Sequence, residues 1–323
     1  AFFLFLVVCD LFYFGSSYNN ALPLSFLNEY STVQFLKKDE DIFRIRNVER
    51  GASWLEAWKK AHGWRGDLSP YVAQGKFLAP DRNLLYGISA PSIIYELVGH
   101  FSLFRSGNLD AAALEEEYKN GGTKLLGLLN VKYFITSQKL EREEKDPKPV
   151  FEENRDDFPV YIYENKKFIP RAFLTLGYKV MDKDEILDYM KSDDFKPQEE
   201  VILEEDPHVS VAETSGSLGS TNITKYENNN VEISATLKNP GFLVLTDTWC
   251  PGWKATVDGK ETKIYPADYN FRAVYLSSGA HKIVFSYTPT YWKIGLIISG
   301  ASFILALVAL IFFVRLSLRR KNA

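Results

Sequence analysis

The sequence predicts an α+β fold in three parts: a mixed α/β module, an all-β sandwich and a C-terminal transmembrane helix. The helix is the firmest signal, because residues 294–314 (IGLIISGASFILALVALIFFV) hold no charged side chain. At ~1.5 Å rise per residue this stretch matches a hydrocarbon core of about 30 Å. The sandwich is read from a change of period at His208, after which apolar residues alternate and turn residues recur. The α/β module is read from the helix-like and strand-like segments that alternate before that point.

Polarity around the helix sets an expected topology. Tyr291 and Trp292 stand at one end, where amphipathic rings settle at the headgroup layer. Arg315, Arg319, Arg320 and Lys321 crowd the other, as in a cytoplasmic flank. Residues 291–314 are thus expected to cross a cell (plasma) membrane, with 315–323 as a basic cytoplasmic tail and 15–291 extracytoplasmic. Gly295, Ser299 and Gly300 would let neighbouring helices approach closely in lipid. The chain opens on AFFLFLVVCDLFYF, which is apolar, too short to span, and lacks the basic leader and small-residue cleavage site of a signal peptide. Residues 1–14 are expected to be the outer end of a truncated transmembrane helix in a multi-pass protein with further helices upstream. Asp10 suits an interface.

After Gly15, residues 16–23 (SSYNNALP) read as a loop leaving the membrane. Phe26, Leu27, Tyr30, Val33 and Leu36 recur at helical spacing and predict a short amphipathic helix ending near Lys38. Residues 42–48 alternate apolar and basic side chains as a strand would. Trp54, Leu55, Trp58 and Ala61 share one helical face, and glycines and prolines between 63 and 91 break the next stretch into loops. Residues 110–118 (DAAALEEEY) predict a helix whose acidic residues complement the macrodipole, ended by Gly121-Gly122. A further helical turn or two is expected over 124–129, then a strand over 131–136 (VKYFIT). The charged stretch 141–157 reads as a solvated loop or hairpin tip. Strands are expected at 160–163 and 172–180, and Asp182 with Glu185 makes a capping box ahead of a helix over 185–191. These elements form the α/β module, residues 15–206.

The sandwich, residues 207–290, is expected to use strands at 209–213, 222–227, 231–237, 242–248, 253–258, 261–264, 271–276 and 281–288. Asp258-Gly259, Ser278-Gly279 and Asn239-Pro240-Gly241 are its hairpin turn signals. Short strands at this density predict a β-sandwich that hands its last strand almost directly to the membrane helix.

A net charge of -3 gives no general case for nucleic-acid binding. Cys9 and Cys250 stand in different settings, so no disulfide is expected. Four histidines without CxxC or HExxH spacing leave no case for a metal, and no cofactor is evident. His62, His208 and His281 are expected on the surface or in sheets. Asn222-Ile223-Thr224 is an N-glycosylation sequon on an expected strand. The acidic pairs at 156–157, 193–194 and 204–205 read as solvated faces.

Two groups of residues are candidate contacts. Trp249, Trp253, Tyr265, Tyr269, Phe271 and Arg272 gather around two turns of the sandwich. They read either as a surface that stacks on sugar rings or meets lipid headgroups, or as core and interface filling. Arg82, Asn83, Tyr86, Tyr95 and His100 lie in a Gly- and Pro-broken segment. They read either as loop residues contacting a polyprenyl phosphate or an acceptor, with Arg suited to bidentate phosphate bonds, or as a packed loop.

WCPGWKATVDGKETKI at 249–264, NFRAV at 270–274, GAH at 279–281 and FSYTP at 285–289 follow one pattern. It resembles the C-terminal extracytoplasmic sandwich of YfhO-type bacterial and archaeal membrane proteins, which are related to the GT-C glycosyltransferases. Tyr18-Asn19, NLLYG at 83–87, LNVKY at 129–133 and PRA at 170–172 are similar to that family's external region. The resemblance implies the C-terminal part of a polytopic glycosyltransferase that moves sugar from a polyprenyl-phosphate donor to an envelope glycan. The family's catalytic carboxylates sit on an early external loop that is not in this sequence, so no catalytic role passes to Asp10. The alternative is a non-enzymatic, membrane-anchored module that binds envelope polymer or a partner protein.

Overall fold

The computed structural model describes residues 2–18, 24–47, 72, 75–78, 82–90, 124–137, 139, 148–154, 159–209, 218–289 and 291–321. The helices expected over 54–64 and 110–118, most of the strand expected over 209–213, and Tyr95 and His100 lie outside the described residues. Two units meet in the chain at Arg171 and Ala172.

The first unit begins with helix α1 (Phe2–Tyr18), which continues through Gly15 instead of ending there. A glycine inside a helix costs only about 1 kcal/mol, too little to stop a helix already nucleated by a long apolar run. The described side chains of α1, from Phe5 to Tyr13, are exposed. A 3₁₀ turn (Leu24–Leu27) precedes the short helix α2 (Ser31–Leu36), which buries Thr32, Val33 and Leu36. Strand β1 (Arg44–Asn47), helix α3 (Lys124–Leu128), β2 (Val131–Thr136), β3 (Phe151–Glu153) and β4 (Val160–Glu164) come next. The four strands form one sheet in the order β1-β2-β4-β3, with β1 parallel to β2 and the other pairs antiparallel. Strand β3 lies inside the stretch expected to be a solvated loop or hairpin tip; it pairs antiparallel with β4, and Phe151, opposite Ile162, packs against the core. Val33, Leu36, Ile45, Leu78, Ile88, Tyr133, Ile135, Val160 and Ile162 make that core.

Polar clamps hold the sheet's end. Lys132 bridges Asp39 at 2.5 Å and Asp41 at 2.6 Å, and Tyr133 donates to Asp39 at 2.7 Å. Burial alone would raise the Asp39 carboxyl, but the bonds from Lys132 and Tyr133 hold it below the usual range. Burial and the same carboxylate push the Tyr133 phenol upward.

The second unit is a two-sheet sandwich carrying the C-terminal helix. One sheet has the order β5-β10-β14-β13-β7-β6 and the other β12-β11-β15-β9-β8. The strands are β5 (Ala172–Thr175), β6 (Gly177–Val180), β7 (Glu200–Leu203), β8 (Gly219–Glu227), β9 (Asn230–Leu237) and β10 (Gly241–Leu245). After these come β11 (Trp253–Val257), β12 (Lys260–Thr262), β13 (Tyr265–Ala267), β14 (Phe271–Leu276) and β15 (Gly279–Tyr287). Alternate residues of both sheets interleave: Leu174, Leu243, Leu245, Val274 and Leu276 meet Val231, Ile233, Ala235, Ile283 and Phe285. Such alternation is the pattern of facing sheets.

The sandwich takes in more sequence than residues 207–290. Strands β5, β6 and β7 belong to its first sheet, with helix α4 (Lys183–Lys191) joining the parallel pair β6 and β7. The strand expected over 172–180 is two strands, because β5 pairs with β10 while β6 pairs with β7. Asp182 takes the N-cap position, yet its side chain makes no capping bond. Of the three turn signals, Asp258-Gly259 joins the paired strands β11 and β12, with φ of 52° and 79° as such a hairpin needs. Asn239-Pro240 and Ser277-Ser278 instead carry the chain from one sheet to the other. The tight hairpin between β8 and β9 turns on Asn228-Asn229.

Helix α5 (Trp292–Lys321) follows β15 with four residues between them. Residues Trp292–Arg315 have a mean hydropathy of 2.8 and none of that stretch is buried, so α5 is long and apolar enough to cross a membrane. Both cysteines are free.

Candidate functional site

One aromatic candidate, Trp253, packs against a buried cation, Arg272. Arg272, on β14 opposite Leu245, is 1% exposed. Its guanidinium carbon lies 3.8 Å from the centroid of the Trp253 ring and 5.4 Å from that of Phe285. Its Nη2 is 3.1 Å from Asp247 Oδ2, and the Tyr226 hydroxyl donates to Asp247 at 3.0 Å. Removing a guanidinium from water costs several kcal/mol, so an ion pair and a ring face are the partners that make this burial tenable. Arg272 is therefore occupied inside the protein. Trp253 is half-buried, packed on the sandwich core with its ring 5.3 Å from that of Tyr287.

The turn before Trp253 is tied to the strand that feeds α5. Trp253 pairs with Tyr287, and the Thr288 N–H donates to Gly252 O at 2.9 Å. A Cβ at Gly252 would lie 2.9 Å from Thr288 O and from the Tyr287 ring, and its φ is 106°, so glycine is required on both counts. Trp249, half-buried, donates its backbone N–H to Asn270 O at 2.8 Å. Tyr269 has Lys183 6.0 Å from its ring centroid. The structure thus joins Trp253 to Arg272 directly, holds Trp249 through the backbone, and gives Tyr269 a different neighbour.

The loop candidates build a second cluster, in the first unit. Asn83 is buried and spends its side chain on its own turn, donating Nδ2 to Ile88 O at 2.6 Å. Gly87, at φ 71°, closes this 3₁₀ turn (Asn83–Tyr86). Tyr86 donates its hydroxyl to Asn28 O at 3.2 Å. Burial raises the phenols of Tyr30 and Tyr86, and the Arg82 charge close by opposes that rise at both. Arg82 is half-buried beside two rings, whereas Leu84 and Leu85 of the same turn are exposed.

The short words shared with the external region are structural parts. In LNVKY, Asn130 ends α3 at φ 62° and is fully buried. Its Nδ2 donates to Ile169 O at 3.0 Å, and its Oδ1 accepts from Arg171 of PRA at 3.1 Å. Those two words therefore meet in one hydrogen-bonded joint.

One constellation was not singled out from spacing. His281 Nδ1 lies 2.7 Å from Asp258 Oδ2, and its Nε2 lies 3.2 Å from Ser277 Oγ. The order acid, imidazole, hydroxyl imitates a nucleophilic triad. However, Nε2 is closer still to the Ser277 carbonyl, at 3.0 Å, and a carbonyl there calls for a donor rather than a base's lone pair. Asp258 also accepts from Lys282 N at 2.8 Å, and these bonds hold its carboxyl below the usual range. The cluster is a clasp between the β11–β12 hairpin and the start of β15. Only the Asp-Gly turn signalled it in the sequence. Among the described residues no group of three or more His, Cys, Asp or Glu side chains gathers to hold a metal.

With this geometry in view, the comparisons with known proteins can be read. Residues 209–299 match the family described as bacterial membrane protein YfhO. A protein named YfhO from Bacillus subtilis (strain 168) is 32% identical over 90 residues, covering 28% of this chain. Those residues are 10% of the relative, so the chain matches about a tenth of its length. No solved structure matches. The matched stretch contains the Trp249–Trp253 turn, Asp247, Arg272 and the first residues of α5. Residues 209–299 are thus similar to the YfhO family of bacterial membrane proteins, and the likeness is confined to the sandwich and the first residues of α5.

Proposed function

We propose that this chain is the C-terminal extracytoplasmic and membrane-anchoring part of a polytopic GT-C-like glycosyltransferase. It would use a polyprenyl-phosphate sugar donor to modify a cell-envelope glycan. The observation that supports this reading is the bond between the aromatic turn and the strand–helix link. A polyprenyl-linked sugar is confined to the membrane surface, so a domain that helps to bind it must present its contacts there. Trp253 stands opposite Tyr287, five residues before Trp292, and Trp249 precedes it on the same turn. Both rings are partly exposed, and aromatic faces suit the apolar faces of sugars. Arg82 and Tyr86 are proposed as a second contact, to phosphate or acceptor. The catalytic carboxylate would be supplied by another part of the full protein.

The test is glycan transfer in cells whose only copy is the full-length protein with Trp249→Ala, or with Trp253→Phe, which keeps a ring face for Arg272. Transfer should fall while protein level and membrane insertion hold. Normal transfer with both variants would remove the aromatic turn from substrate binding. No transfer by the full-length parent to any envelope polymer would favour the membrane-anchored binding module.

A further inference from the structure

We infer that the first unit carries a leucine foot that sits in the bilayer interface, formed by the two 3₁₀ turns Leu24–Leu27 and Asn83–Tyr86. Leu24 is 82% exposed, Leu27 54%, Leu84 67% and Leu85 55%. The turns are neighbours although far apart in sequence, because Tyr86 donates to Asn28 O, next to Leu27. Water is a poor environment for so many leucines on adjacent turns. The other exposed apolar groups of this unit are mostly the side chains of α1.

The occupant is identified by the helix that precedes the foot. Helix α1 ends at Tyr18, and Phe5, Leu11 and Phe12 on it are 63%, 65% and 76% exposed. Such a helix belongs in lipid. Only six residue steps separate Tyr18 from Leu24, a reach of at most about 20 Å. The first turn is therefore tethered within about 20 Å of the helix end, close enough to reach the headgroup layer. The second turn comes with it through Tyr86. Chemistry at the rim agrees: Arg82, Tyr30 and Tyr86 cluster beside the leucines, and a guanidinium with phenol rings is the composition that settles at headgroups. Both turns are short and closed by their own backbone bonds, Leu85 N to Arg82 O and Gly87 N to Leu84 O in the second. No helix or strand has to unfold for the leucines to enter the interface. The inference is independent of any catalytic role for the chain.

The test uses the 323-residue chain in nanodiscs of phosphatidylcholine and phosphatidylglycerol, in a Cys9→Ser, Cys250→Ser background. Nitroxide labels at Leu84→Cys and Leu27→Cys are compared with Phe12→Cys on α1 and with Lys166→Cys, whose side chain is 77% exposed. Collisions with oxygen, which partitions into lipid, are measured against those with a nickel chelate, which stays in water. The ratio at Leu84 and Leu27 should be several-fold above that at Lys166 and below that at Phe12. Leu84→Glu with Leu85→Glu should move the Leu27 label towards the Lys166 value. A water-like ratio at Leu84 with a lipid-like ratio at Phe12 overturns the foot while leaving the helix in lipid. Shielding of Leu84 from both reagents means that protein covers the turn and also overturns it. A water-like ratio at Phe12 removes the premise and the proposal with it.

Discussion

Replacing Asp268 with Asn should change the pH dependence of the sandwich more than its structure. Asp268 is fully buried in the turn between β13 and β14. Its N–H donates to Ile202 O, and its Oδ1 accepts from Ile202 N, both at 2.9 Å, while Oδ2 has no hydrogen-bond partner among the described residues. Burial, opposed by the Ile202 bond and helped by the Glu200 charge, pushes this carboxyl from 3.8 up to about 7. A folded pKa above the unfolded one makes the acid favour the folded state only while it is protonated. That contribution is fully present below about pH 4, is lost as pH rises, and levels off above the folded value near 7. At about 1.4 kcal/mol per unit the loss approaches roughly 4 kcal/mol. Asparagine keeps the Oδ1 acceptor and cannot ionise. The assay is thermal unfolding of the chain in detergent, followed by tryptophan fluorescence from pH 4 to 8. The parent should lose stability across that range relative to Asp268→Asn, with ~2–4 °C of relative Tm change per kcal/mol. Parallel Tm curves for the two proteins would refute the assignment.

Three other outcomes are expected from the geometry. Asp247→Ala strands the Arg272 guanidinium and should cost roughly 3–5 kcal/mol, with much of the loss recovered by adding Arg272→Met; denaturant unfolding measures both. A Cβ at Gly127 would lie 1.9 Å from Lys167 O, so Gly127→Ala should destabilise the first unit by about 1–3 kcal/mol or more, read as faster amide exchange in β2 and β4. A fluorophosphonate probe should leave Ser277 unlabelled, because His281 Nε2 faces a carbonyl; labelling lost in His281→Ala would reverse that reading.

Legibility differed with what each residue's chemistry announces. VKYFIT at 131–136 and FRAVYL at 271–276 were expected strands and are β2 and β14 to the residue, since β-branched and aromatic runs between turn residues have few other options. The C-terminal helix was equally plain. Pairing was less so: Asn239-Pro240-Gly241 announces a reversal, but turn chemistry does not say whether the next strand stays in its sheet. In AFLTLGYKV only Gly177, an isolated glycine in a strand pattern, marks the step at Leu176 where β5 gives way to β6; the partners that separate the two strands are distant in sequence. At the candidate sites, the group with Arg272 was open between a contact surface and core or interface filling, and only the third dimension supplies Trp253 and Asp247 to bury the guanidinium. Asp268 was passed over for the same reason. Asn83, read in a loop-rich segment, and Asn130, which entered only within LNVKY, are both internal fasteners.

The joint between β15 and α5 has a mechanical meaning. Strand β15 is central in its sheet, flanked by β9 and β11, and the chain runs from it into the helix with four residues between. A pull along the axis of β15 would load both of its ladders in shear, so many bonds would have to yield together rather than peel open one at a time. The Thr288–Gly252 bond places the first resistance just before the helix begins. Tension entering β15 in that direction would be shared at once by β9 and β11, the two strands that hold it.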